Sequence, residues 1–128
     1  MFPTMRLTVE PGDVGPAMAR AFVRACIVLL GRQPSDEAVL LTSEAVTNSI
    51  RHTQTETVEV SLESFGDRIR IGVADDDSHE PVVLPLDPTR LGGLGVRLID
   101  DLSEEWGVEE RVDEGKLVWF DVFVPATT

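Results

Sequence analysis

The sequence has a single cysteine, Cys26, in 128 residues. No disulfide can close within the chain, which fits a reducing compartment. Cys26 lies in the apolar stretch AFVRACIVLLG and is expected to fill core space. Long hydrophobic runs are missing too. None approaches the roughly 18 residues that a membrane-spanning helix needs, so no span is expected. The first ten residues, MFPTMRLTVE, contain no apolar signal-peptide core, and the cytoplasm is the expected location. Basic charge is scarce: 11 Lys and Arg stand against 23 Asp and Glu, a formal charge of −12. Such a surface repels nucleic acid and anionic membrane, so neither is expected as a direct partner. A basic protein or a magnesium-bound ligand remains compatible with it. Two histidines and one cysteine give no metal-ligand spacing, and no structural zinc is expected. Internal repeats and low-complexity tracts are absent.

The composition, 42% hydrophobic and 27% charged, is that of a globular domain. At this length, residues 1–128 are read as one domain with one core. Met5 to Glu10 alternates weakly, as an edge strand would. After the breaker PGDVGP, a helix is predicted from about Val14 to Leu30. Asp13 is its expected N-cap, Pro16 sits in its first turn, and Gly31 stops it. Ser35 is expected to cap a second helix that runs to about Arg51. Asp36 and Glu37 there suit the positive end of its dipole. Val58, Val60 and Leu62, then Ile69, Ile71 and Val73, alternate with polar residues as two strands, and SFGDR between them signals a hairpin. A Pro-, Asp- and Gly-rich segment reads as a loop. A third helix, about Gly95 to Leu102, precedes two more strands, EWGVEERV and KLVWFDVFVP, joined at Glu114-Gly115. The order β-α-α-β-β-loop-α-β-β predicts an α+β fold, with an antiparallel or mixed sheet and helices on one face.

The second helix poses a question. At about 100° per residue, Glu44, Asn48 and His52 form one row, and Leu41 and Ala45 place that row at the edge of the buried stripe. Two readings stand: a solvated edge with local hydrogen bonds, or a carboxylate and an amide held in place for chemistry. Later segments favour the second. IRIGVADDD ends a strand with Asp75, Asp76 and Asp77, and GGLGVRLIDDL sets glycines just before a helix. Glycines let backbone N–H groups approach a phosphate, and a helix N-terminus favours its charge. A strand-end carboxylate can accept a bond from a base amino group, and an amide suits a magnesium ion bridging phosphates. His52 is read as packing at the helix end, and His79 as a solvated loop residue. Trp106, Trp119 and Phe120 are read as core or interface packing. The acidic run DDLSEEWGVEE is read as a solvated face that could also meet a basic partner.

Four motifs in this order resemble the GHKL-type (histidine-kinase-like) ATP-binding domain of gyrase, the Hsp90 chaperone, histidine kinases and MutL. Among these they most resemble the small bacterial anti-sigma factor serine/threonine kinases. SEAVTNSIRH resembles the N-box, VADDD the adenine-reading strand end, GLGVRLIDDLSEEWGV the glycine box with its helix, and EGKLVWFDV the closing strand pair. Together they cover about Ser35 to Val124. The resemblance implies a two-layer α/β sandwich of the Bergerat type, with a mixed, mostly antiparallel sheet. It implies ATP and Mg2+ as cofactors. Asn48 would hold the magnesium and Glu44 would act as general base toward the attacking hydroxyl. Asp75 would accept the adenine amino group, and Gly93 and Gly95 would let the loop wrap the phosphates. Residues 77–91 would form a short lid, stiffened by Pro81, Pro85 and Pro88.

The chain departs from the family pattern at two places. Asp77 stands at a nucleotide-contacting position usually held by glycine, where it would crowd or repel the nucleotide, although Asp76 and Asp77 could instead favour a metal. The final box reads Gly115-Lys116-Leu117 where relatives often have Gly-Thr. The length leaves no room for a phosphorylatable-histidine helix with its dimerisation hairpin, so a complete two-component histidine kinase is not expected. Two functions follow. One is an ATP-binding anti-sigma factor that sequesters a sigma factor and phosphorylates an antagonist protein on Ser or Thr. The other, motivated by Asp77 and Leu117, is a catalytically inactive partner-binding module of the same fold, with weak or no ATP binding. Relatives often pair through the N-terminal part of this domain, so a homodimer is compatible with either.

Overall fold

A computed structural model describes residues 4–52, 55–76, 98–111 and 115–127. The elements run β1 (Met5–Val9), α1 (Gly15–Leu29), α2 (Asp36–His52), β2 (Val58–Phe65), β3 (Arg68–Asp75), β4 (Glu105–Arg111) and β5 (Gly115–Phe123). A short helical segment, 98–102, precedes β4. The order is the predicted one. The five strands form one sheet in the order β1-β2-β3-β5-β4, and every pairing is antiparallel. This is the two-layer α+β arrangement expected from the sequence.

The helix ends follow local chemistry, with one correction. Asp13 does not cap α1. Val14 occupies the N-cap position in a helical conformation with no side-chain cap bond. The helix is entered instead through a backbone turn in which the Gly15 N–H donates to the Gly12 carbonyl at 3.2 Å. Pro16, in the first turn, has no N–H to satisfy, so there is less for a cap to do. At the other end Gly31 takes φ +68°. The Gly31 N–H reaches the Val28 carbonyl and the Arg32 N–H reaches Ile27, both at 3.0 Å, which is the Schellman pattern. The Ser35 hydroxyl accepts the Ala38 N–H at 3.1 Å, as predicted for the cap of α2.

Strand alternation sorts the side chains. Val58, Val60, Leu62, Ile69, Ile71, Val73, Phe120 and Val122 point to one face and are buried there with Ala19, Val23, Cys26 and Ile27 of α1 and Ala38, Leu41, Ala45 and Val46 of α2. Cys26 is a core residue, as expected, and burial raises its thiol pKa. Phe120 is fully buried, and Trp106 packs against the core from β4. The opposite face carries Ser61, Glu63, Arg70, Gly72, Leu117 and Trp119 around a shallow depression. There the Arg70 guanidinium makes two bonds to Asp121, at 2.7 and 3.0 Å, and lies 4.1 Å from the centre of the Trp119 ring. At the far end of β3, Asp75 lies on the helix-facing side.

Candidate nucleotide site

Glu44 and Asn48 lie one turn apart on α2, and both are half-buried. The fully buried stripe of that helix includes Leu41, Thr42, Ala45, Val46 and Ser49. The row therefore borders the core, where a polar side chain is held by its surroundings yet stays reachable. Thr42 is satisfied internally, its hydroxyl donating to the Ala38 carbonyl at 2.7 Å. Ser49, seven residues on and on the same face, turns to the sheet instead. Its hydroxyl lies 3.5 Å from Oδ2 of Asp75, at the end of β3. The residue following Asn48 thus ties the C-terminal half of α2 to the strand end that carries the aspartate.

Asp75 is 3% exposed. In the β3–β5 register it stands directly opposite Lys116, so both side chains leave the sheet on the same face. The Lys116 ammonium is 3.1 Å from one carboxylate oxygen of Asp75 and 3.3 Å from the other. This contact was not foreseen. In the sequence, position 116 shows only the absence of the threonine hydroxyl that relatives often have there. Lys116 is the only lysine in the chain, the other ten basic residues being arginines, but its being the only one does not say which residue stands opposite it.

Gly115 explains how β5 comes so close. Its φ is +89°, and a Cβ there would lie 1.9 Å from the Asp75 carbonyl oxygen. The glycine of the final box is thus required by close backbone approach. Asp76 turns outward, away from the pair. It accepts the Glu56 N–H at 2.9 Å and a hydrogen bond from the Thr55 hydroxyl. Its own N–H donates to Thr55 Oγ1 at 3.0 Å. A metal-binding role suggested for Asp76 thus competes with a turn that already uses its carboxylate. Asp77, Gly93, Gly95, His79 and the predicted lid lie outside the described residues. Among the described residues the structure brings together Ser49 of α2, Asp75 at the end of β3 and Lys116 at the start of β5, with Glu44 and Asn48 on the same helix as Ser49.

The profile of the histidine kinase-like ATPase domain family matches residues 7–122. The chain belongs to that family. Among solved structures it is similar to the RsbU and RsbW domains of Rv1364c from Mycobacterium tuberculosis. The identity is 19% and the TM-score 0.70, over 98% of this chain and 33% of that one. The chain thus spans about a third of that protein's solved length, and the likeness is one of fold. No curated protein sequence matches it.

Proposed function

We propose that the chain binds ATP with magnesium between α2, the end of β3 and the start of β5, and acts as an anti-sigma regulatory factor. It would sequester a sigma factor and phosphorylate an antagonist protein on Ser or Thr. The observation that carries this reading is the Ser49–Asp75 contact, which joins the Glu44/Asn48 helix to the aspartate strand end. Three segments distant in sequence meet there, as a site for base and phosphates requires. The donor set suits the group. A half-buried amide oxygen on Asn48 is a hard ligand for magnesium, which keeps waters and phosphate oxygens as its other ligands. When bound, the metal would neutralise phosphate charge. Glu44, one turn away, would take the proton of the attacking hydroxyl. Gly93 and Gly95 would supply phosphate-facing N–H groups, and Asp77 would adjoin the nucleotide. The motif order supports the anti-sigma reading. The exposed Glu105, Glu109 and Glu110 on β4 suit a basic patch on a protein partner.

One observation favours the second reading, an inactive module. Asp75 already holds an ammonium, which weakens its use as a base reader. Calorimetric titration with magnesium-ATP separates the two. Micromolar binding is expected of the kinase, and no heat at millimolar ATP would leave only the module. In the kinase, Asn48→Ala abolishes phosphate transfer to the antagonist while sigma binding persists. Transfer at the full rate by that variant would remove Asn48 from its role.

A further inference from the structure

We propose that Lys116 is a built-in occupant of the base-reading carboxylate, so that this chain takes a purine nucleotide with little regard for its 6-amino group. The proposal rests on the nucleotide-site reading above, with Asp75 facing the base. Lys116 reaches both oxygens of Asp75, at 3.1 and 3.3 Å, and the two side chains are 15% and 1% exposed. The Ser49 hydroxyl stands at 3.5 Å on the same carboxylate. The exocyclic amino group of a purine is a neutral donor. Lys116 offers the carboxylate a full opposite charge as well as a hydrogen bond, whereas the amino group offers the hydrogen bond alone, so the amino group does not displace Lys116. If it shares the carboxylate it gains little, because the negative charge is already balanced. Drawing the ammonium away is also opposed, since it leaves two buried charges uncompensated.

The placement is built in by the fold. Lys116 is paired with Asp75 across the β3–β5 ladder, and Gly115 fixes how closely that strand end approaches. The base therefore contributes weakly to binding. Phosphates and metal carry it, and the side chain at position 116 sets how sharply the base is read. Lys116 is a specificity-determining residue in this scheme, and shortening or neutralising it removes the competing ammonium from the carboxylate.

The test uses the intact chain and two variants, Lys116→Thr and Lys116→Met, with melting curves to confirm that each folds. Each is titrated with magnesium-ATP and with the magnesium complex of purine riboside triphosphate, which lacks only the 6-amino group. The unaltered chain is expected to bind the two within about twofold. The variants are expected to bind ATP about tenfold more tightly than the unaltered chain and to prefer it over the deamino compound by about tenfold, the size of one hydrogen bond to a charged group. A lysine with only a structural role would change the melting temperature and leave that preference alone. An unaltered chain that already prefers ATP tenfold overturns the proposal, as do folded variants that bind ATP no better, and in both cases the nucleotide site stands. If neither compound binds any of the three proteins at millimolar concentration, the nucleotide-site reading fails and takes the proposal with it. Should both variants fail to fold, the unaltered chain's discrimination between the two compounds decides alone.

Discussion

Asp75 and Asp76 are adjacent carboxylates with opposite surroundings, because successive residues of a strand face opposite ways. Asp75 faces the helices and meets an ammonium. Asp76 faces outward and closes a turn with Thr55 and Glu56. The Asp76 carboxyl is held below its ordinary pKa, chiefly by the Thr55 hydroxyl, with the Glu56 N–H adding to the effect and burial opposing it. A depressed pKa means that the folded state favours the ionised form. The resulting stabilisation is fully present above the ordinary carboxylate value of about 3.9 and is lost as pH falls through the lower folded value. Asp76→Asn is therefore expected to melt below the unaltered chain at pH 7, with the gap closing as pH drops below about 4. Melting curves across that range check it, and a gap that stays constant would show that the turn does not depend on the charge.

At the scale of elements, two glycines with positive φ make a useful contrast. Gly66, in the β2–β3 turn, has φ +51° and open space where a Cβ would go. Alanine there bears only the backbone strain, about 1 kcal/mol. Gly115 has φ +89° and backbone atoms of Asp75 and Asp76 within 3 Å of a Cβ. Backbone cannot swing aside as a side chain can, so Gly115→Ala is expected to cost more than about 2 kcal/mol. Urea unfolding of the two variants measures the difference, and equal costs would mean that the start of β5 shifts freely. In the sequence Gly115 is a turn residue and the glycine of the final box, and neither shows the close approach of the Asp75 backbone. What the sequence did show was local: the period-2 strands, the Ser35 cap, the Gly31 stop and the Glu44/Asn48 row each depend on residues a few positions apart. The Asp13 cap failed because a backbone turn and Pro16 did the work expected of a side chain. The Lys116–Asp75 pair was out of reach for a different reason. It depends on the register between strands 41 residues apart, and alternation within a strand does not encode which residue stands opposite on another.

At the scale of the whole molecule, the dominant fact is an excess of twelve negative charges on a fold of two layers. Like charges at this density destabilise the compact state through self-repulsion. Among the described residues three ion pairs stand out. Arg6–Glu59 spans 3.7 Å between exposed side chains, and such pairs are worth about 0–1 kcal/mol. Arg70–Asp121 and Lys116–Asp75 each involve a buried carboxylate, and salt screens buried pairs much less than exposed ones. Salt should therefore remove more repulsion than attraction. Raising sodium chloride from about 10 mM to about 150 mM shortens the screening length from about 30 Å to about 8 Å. That range separates the long-range repulsion across the domain, which is lost, from contacts at 3–4 Å, which survive. The melting temperature is expected to rise over this interval and to level off above it. Magnesium is left out of the titration, because any binding at the proposed nucleotide site would add stabilisation of its own by mass action. A melting temperature that falls with added salt would show that surface attractions outweigh the net charge, and that the acidic faces are arranged against local partners within the fold instead of standing open to a basic one.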